Sequence, residues 1–257
     1  MKGSRIHISR RGFCKIASGA VFSSTLSTAC RQSNSSKQSI QGRLTARPRE
    51  GRTFSGRGQL EIGLDSGREA YLRIPHSITS ATFPLLLFLH GAGQTADDMF
   101  EYLGSAPSDA GVAVLVPKSR QLTWDAISDS FGPDVEFINR TLEQVFETMP
   151  IDAARVAVGG FSDGASYALS LGLINGDLFS RVVGFSPGFV IDCTPQGKPR
   201  FFISHGTHDH VLPIDPCGRR IAANLKSQGY EVTFREFDGD HELPPTVALE
   251  GLRWVSN

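Results

Sequence analysis

In this 257-residue chain the stretch best suited to chemistry is Gly160-Phe161-Ser162-Asp163-Gly164, directly after the apolar run Val156-Ala157-Val158. A Gly-x-Ser-x-Gly pentapeptide at the end of a strand fits a sharp strand-to-helix turn from which the serine hydroxyl projects out of the sheet. Small flanking residues let such a turn close. The next backbone N–H, that of Asp163, then stands at a helix N-terminus, where it can meet an oxyanion. A serine so placed needs a base, an acid to orient that base, and a second oxyanion donor.

Each of these has a candidate after its own strand-like run. His241, in Asp238-Gly239-Asp240-His241, follows Glu231 to Phe237 and is the candidate base. Asp209, in His205-Gly206-Thr207-His208-Asp209-His210, follows Phe201 to Ile203 and is the candidate acid, able to fix the tautomer of a histidine. His90-Gly91-Ala92-Gly93 ends the run Leu85 to Leu89. Its glycines let the Ala92 N–H turn toward the spot faced by the Asp163 N–H, although a plain glycine-rich turn reads the same way. His90 is read as a structural histidine bracing that loop. Asp238 and Asp240 adjoin His241 and are read as shaping its turn, while Asp163 is expected to be solvated or to face substrate. The histidines 205, 208 and 210 do not make a metal site in this reading. His208 and His210 would point to opposite sides of an extended loop, and no glutamate-bearing helix motif accompanies them. Trp124, in the loop after Val112 to Val116, is the candidate pocket-lining residue; a half-buried packing tryptophan is the alternative.

The elements that must position these groups alternate. Gln59 to Leu64 and Glu69 to Ile74 alternate apolar and polar residues around Asp65-Ser66-Gly67, as an antiparallel hairpin does. Leu85 to Leu89, Val112 to Val116, Arg155 to Val158, Val182 to Phe185 and Arg200 to Ile203 are short, nearly continuous apolar runs, the pattern of strands covered on both faces. Helical periods occupy Ala96 to Leu103, Asp134 to Met149, Ala165 to Ile174 and Pro216 to Lys226, and a closing helix is expected over about Pro244 to Val255. This predicts an α/β fold: a mostly parallel sheet with helices on both faces and an antiparallel N-terminal hairpin. Only about fifteen residues separate Phe185 from Phe201, too few for a substantial helical lid.

The N-terminus sets the compartment. Ser9-Arg10-Arg11-Gly12-Phe13-Cys14-Lys15 resembles a twin-arginine export motif, followed by a weakly apolar stretch from Ile16 and by Ser27-Thr28-Ala29-Cys30. Residues 1–30 are therefore read as an export signal, 31–58 as a flexible polar tether, and 59–257 as one catalytic domain, which implies a periplasmic or extracellular protein. Cys30 also fits the end of a lipoprotein signal, except that Ser27 stands where a branched apolar residue is usual and Leu26 is one place early; cleavage to a soluble form is the alternative to a lipid anchor. The remaining cysteines, Cys193 and Cys217, are expected in loops on the same sheet edge, where an exported chain could pair them; two unrelated buried thiols are the alternative. The formal net charge is zero, with 26 basic and 26 acidic residues, and no basic stripe interleaves with aromatics, which argues against nucleic acid as a partner.

With these residues in view, the stretch from about Leu85 to Val255 resembles the phospholipase/carboxylesterase branch of the α/β-hydrolases. That branch includes acyl-protein thioesterases and is akin to secreted polyhydroxybutyrate depolymerase-like esterases. The matching residues are His90-Gly91-Ala92-Gly93, Gly160-Phe161-Ser162-Asp163-Gly164-Ala165, His205-Gly206 with Asp209 and Pro213, and Asp240-His241. The order Ser162, Asp209, His241 is that of the superfamily. The resemblance implies Ser162 as nucleophile, His241 as base, Asp209 as acid, Ala92 and Asp163 as oxyanion donors, and no cofactor. It departs where many members carry Gln at Asp163, Gly at Ala165 and Gly-His at Asp240-His241. The expectation is a serine carboxylic-ester hydrolase working through an acyl-enzyme on small or exposed esters. Lysophospholipase, thioesterase or polyester depolymerase activity on the same three residues is the alternative; a peptidase or a non-catalytic surface lipoprotein fits less well. A dienelactone-type hydrolase would want Cys at Ser162. Neither the acyl group, the alcohol nor an oligomeric state has a signature in the sequence.

Overall fold

The computed structural model describes residues 42–63 and 68–257. The segment read as an export signal, with Cys14 and Cys30, residues 31–41 of the segment read as a tether, and the turn Asp65-Ser66-Gly67 lie outside the described residues.

Eight strands form one sheet: β1 (Gly58–Glu61), β2 (Ala70–Ile74), β3 (Phe83–Leu89), β4 (Ala113–Pro117), β5 (Ile151–Phe161), β6 (Arg181–Phe185), β7 (Arg200–Gly206) and β8 (Val232–Phe237). Their spatial order is β1-β2-β4-β3-β5-β6-β7-β8. β1 and β2 are antiparallel, β2 runs antiparallel to β4, and all other neighbours are parallel. Seven α-helices accompany them among the described residues: α1 (Ala96–Leu103), α2 (Ala106–Ala110), α3 (Asp125–Ser128), α4 (Pro133–Thr148), α5 (Asp163–Ile174), α6 (Arg220–Ser227) and α7 (Pro245–Ser256). A single π-helical turn, Asp215–Arg219, leads into α6.

Strand alternation divides the core into two layers. Leu85, Leu87 and Leu89 face the side covered by α4, α5 and α6, whereas Leu86 and Phe88 face the side covered by α1, α2 and α7. Helix α5, between the sheet and α3, is buried from Gly164 to Ile174, as a central helix apolar on nearly every side must be. No helix interrupts residues 186–199 between β6 and β7, so the edge from which the parallel strands exit carries no lid there.

Two local expectations are corrected. The polar segment before β1 is not loose from residue 42 onward. Leu44 and Ala46 are buried, the Asn175 amide donates to the Gly42 carbonyl and accepts from the Leu44 N–H, and Arg43 pairs with Asp177 at 2.7 Å. Two apolar side chains and paired arginines suffice to pack there, although the segment's overall composition is polar. The helix read over Pro216 to Lys226 is in fact the π turn followed by α6, with the change of pitch at Arg219.

Candidate active site

β5 delivers Ser162 directly into α5. Ser162 adopts φ 57° and ψ −121°, a conformation L-residues rarely hold, and its N–H donates to the Phe185 carbonyl at 3.0 Å. The flanking glycines are required by contact, because a Cβ at Gly160 would stand 2.7 Å from the Leu89 carbonyl oxygen and one at Gly164 would collide with the Leu89 and His90 carbonyls. The turn thereby locks β3 against the start of α5.

The other expected residues converge on this serine. His241 Nε2 lies 2.9 Å from Ser162 Oγ, and His241 Nδ1 lies 2.7 Å from Asp209 Oδ2. Asp209 is buried, and its Oδ1 accepts the Val211 and Leu212 N–H groups at 2.9 and 2.7 Å. The His241 ring also packs on Phe161, with centroids 4.9 Å apart. A hydroxyl, an imidazole and a carboxylate are thus joined in one hydrogen-bonded line, as nucleophilic acyl transfer requires.

The loop after β3 faces the same point. A Cβ at Gly91 would stand 3.2 Å from that of Ser162, so Ala92 begins the turn beside the hydroxyl. The loop is held at several atoms. The Gln94 side chain accepts the Gly91 N–H at 3.0 Å, and the Gly93 N–H donates to the Leu122 carbonyl at 2.7 Å. His90 Nε2 accepts the Ser119 N–H at 3.0 Å, so Nδ1 carries the hydrogen and donates to the Gly91 carbonyl at 2.7 Å. Burial pushes this imidazole below its ordinary range, which suits its bracing position.

The structure also places Trp124 and Asp163. Trp124 is held by packing: its side chain is fully buried, its Nε1–H donates to the His90 carbonyl at 2.8 Å, and its ring packs on His90 and Tyr167. Tertiary packing under the loop has claimed the indole. Asp163 is only half-exposed, and its carboxylate accepts the Thr123 hydroxyl at 2.8 Å, tying the elbow to the loop after β4. Below them lies a buried polar cluster. Asp134 accepts from Arg68 at 2.6 Å and from the Arg120 and Asp125 N–H groups at 2.9 Å each, and Asp125 takes the Tyr167 hydroxyl at 2.9 Å. Burial raises the Asp125 carboxyl above its usual range, and it raises the Tyr167 hydroxyl well above.

The disulfide expectation is also corrected, because Cys193 and Cys217 are both free thiols. Cys193 packs on the core near Tyr230, which precedes β8, whereas Cys217 sits in the π turn within the influence of Asp209. The chain after β6 runs back toward the start of β7, carrying Cys193 away from the edge on which Cys217 remains. Burial lifts the Cys193 thiol to about 11. The remaining histidines separate as well: His208 meets Asp238 at 3.1 Å, and His210 meets Asp240 at 3.3 Å. Asp240 shapes its turn, accepting the N–H groups of His210 and His241 at 2.9 and 2.8 Å, which hold its carboxyl below the usual range.

Sequence reasoning passed over the rim. Tyr102, Leu122, Phe189 and Val211 are the large apolar side chains left exposed among the described residues. Each adjoins an element that carries the site. Leu122 touches the Gly93 turn, Phe189 follows the Gly188 N–H bound to Ser166 Oγ, Val211 adjoins Asp209, and Tyr102 packs on Phe161. Single exposed apolar residues carry no sequence signal until loops from separate strands bring them together.

An α/β-hydrolase sheet with a serine, a histidine and a carboxylate at its strand exits defines a serine hydrolase architecture. A family model described as phospholipase/carboxylesterase matches residues 117–250, and the chain belongs to that family of ester hydrolases. Feruloyl esterase C of Emericella nidulans is 29% identical over 214 residues, covering 70% of this chain and 78% of that protein. Acyl-protein thioesterase 1 of the same organism is 31% identical over 112 residues, covering 40% of this chain and 46% of that protein. Among solved structures, the S-formylglutathione hydrolase of Agrobacterium tumefaciens superposes with TM-score 0.62 at 14% identity, covering 79% of this chain and 96% of that one. A ferulic acid esterase of Anaeromyces mucronatus gives 0.57 at 17%, covering 80% and 92%. These structural likenesses concern the fold.

Proposed function

We propose that this protein is an exported serine esterase that hydrolyses exposed esters of apolar or aromatic acids through Ser162, His241 and Asp209. The observation that carries the reading is the line Ser162 Oγ, His241 Nε2, His241 Nδ1, Asp209 Oδ2, closed by contacts of 2.9 and 2.7 Å on a strained elbow. His241 takes the serine proton as Oγ attacks the ester carbonyl carbon, and the Ala92 and Asp163 N–H groups receive the oxyanion. His241 then returns the proton to the leaving alcohol as the C–O bond breaks. Water, deprotonated by the same imidazole, releases the acid from the acyl-serine. Loss of one oxyanion donor would cost about 10²–10³ in rate.

The apolar rim of Leu122, Phe189, Val211 and Tyr102, together with the unlidded edge, supports an acid moiety that is apolar and approached from solvent. The similarity to feruloyl esterase C points the same way and makes a hydroxycinnamoyl ester the first substrate to try. Residues 1–30 act as a twin-arginine-type leader that takes the site out of the cytoplasm, with Cys30 as the point of lipid attachment if the leader is processed as a lipoprotein signal.

The test uses the chain without its first thirty residues. It should hydrolyse p-nitrophenyl butyrate and methyl ferulate, and a fluorophosphonate probe should label Ser162. Label or turnover that survives Ser162→Ala would overturn the assignment of the nucleophile. A higher kcat/KM for long-chain acyl thioesters than for methyl ferulate would move the substrate class toward the thioesterases.

A further inference from the structure

β7 ends in Ser204-His205-Gly206, and the His205 side chain is wholly buried behind the site with no part in the acyl-transfer steps. Its Nε2 stands 2.7 Å from the Leu212 carbonyl oxygen and 3.2 Å from Asp209 Oδ2. Both neighbours are acceptors, so Nε2 must carry the hydrogen; a lone pair there would face two oxygens. Nδ1 has no hydrogen-bond partner among the described residues and lies against Gly218, where a Cβ would come within 2.6 Å of it. A buried ring nitrogen without a partner is costly, and an apolar side chain of similar size would avoid that cost. The ring is therefore explained by what Nε2 does.

Nε2 closes a small circuit. The Leu212 N–H donates to Asp209 Oδ1 at 2.7 Å while the Leu212 carbonyl accepts from His205. Asp209 Oδ2 meets two imidazoles, His241 at 2.7 Å and His205 at 3.2 Å. The carboxylate is thus held at both oxygens. The charged and titratable groups around His205 are Asp209 and His241 at the site, Cys217 in the π turn, and Glu236, its register partner on β8, which is held by Arg219. Burial keeps the ring below the usual imidazole range, so it donates without adding a positive charge. A cation in that place would weaken the hold of Asp209 on the imidazolium formed at His241.

We propose that His205 is a positioning residue for ester hydrolysis: an uncharged donor that fixes the Asp209 carboxylate and, through it, the orientation and basicity of His241. This rests on the reading that Ser162, His241 and Asp209 act together. Removing the donor leaves Oδ2 richer in charge, so His241 holds its proton more tightly and the acid limb of the kcat/KM profile moves to higher pH.

The experiment compares His205→Leu, which removes the donor, with His205→Gln, which offers an amide N–H in its place. For p-nitrophenyl butyrate, kcat per fluorophosphonate-labelled site should fall about 10- to 100-fold in H205L, as for other residues that orient a working side chain. KM should stay within about twofold, the acid limb should shift upward, and H205Q should recover most of both. Equal impairment of the two variants, or an unmoved pH profile, would overturn the proposal. A wild-type protein that the probe does not label at Ser162 would instead overturn the esterase reading beneath it. Should H205L fail to fold, nitrogen-15 NMR of the wild-type histidines decides. His205 should hold its hydrogen on Nε2 and titrate below an ordinary imidazole, and an Nδ1–H tautomer or a titration at or above the ordinary imidazole range would refute the role.

Discussion

The Trp124 indole N–H donates to the His90 carbonyl at 2.8 Å, and the two rings lie 4.9 Å apart, so the largest buried side chain of the domain is a strut under the loop that carries Ala92. Trp124→Phe keeps most of the packing but leaves the carbonyl without its donor. Stability should drop by about 1–3 kcal/mol. Because the loop it supports presents an oxyanion donor in the proposed mechanism, kcat should fall about tenfold with KM little changed, consistent with a contact made in the transition state. Urea denaturation and steady-state kinetics on p-nitrophenyl butyrate read the two effects separately.

Gly164 offers a harsher test. Its Cα lies against the Leu89 and His90 carbonyls, so even one methyl group must displace β3 or the elbow. Gly164→Ala should cost more than the roughly 1–3 kcal/mol usual for overpacking, since the obstacle is backbone instead of a side chain that can turn aside. Any folded fraction should lose most of its fluorophosphonate labelling. A soluble variant labelled at the wild-type rate would contradict the packing described for the elbow.

Two buried histidines give stability a pH dependence of known sign. His90 and His205 are both pushed below the ordinary imidazole range by burial. Below about pH 6.5 the unfolded chain takes up protons that these rings refuse, so the stability they permit is present above that pH and is lost as pH falls toward their folded values. Thermal midpoints should therefore decline from pH 7 to 5, and His205→Gln should flatten the decline. An identical slope in the variant would show that His205 contributes nothing to it.

The free thiols give a further expected outcome. With Cys193 and Cys217 unpaired, dithiothreitol should leave the thermal midpoint unchanged. Denatured protein lacking the leader should titrate two thiols with Ellman's reagent, and the native protein should react slowly because burial raises both groups. A midpoint that falls on reduction would restore the disulfide.

Much of this was legible because strand period, apolar runs and punctuation agreed. Helix α1 falls where its period places it, and Ser162, Asp209 and His241 meet because each follows a parallel strand, β5, β7 or β8, at the same edge of the sheet. β5 extends beyond the apolar run Arg155 to Val158 at both ends, and Gly159 and Gly160 lie in the strand, where a Cβ on Gly159 would stand 2.8 Å from the Val183 carbonyl oxygen. The place of Trp124, the separation of the cysteines and the duty of His205 depend on which loops touch. No local pattern encodes those contacts. Helices α2 and α3, five and four residues long, are too short to display a period.

The arm from residue 42 is fastened through Arg43 and Asp177 just beyond the C-terminus of α5, whose N-terminus holds Ser162. Twelve residues of helix separate those ends, a distance of about 18 Å through the body of the domain. The arm is therefore pinned at one end of this helix and the serine stands at the other. Esters therefore reach the serine from the face opposite the one on which the arm is pinned.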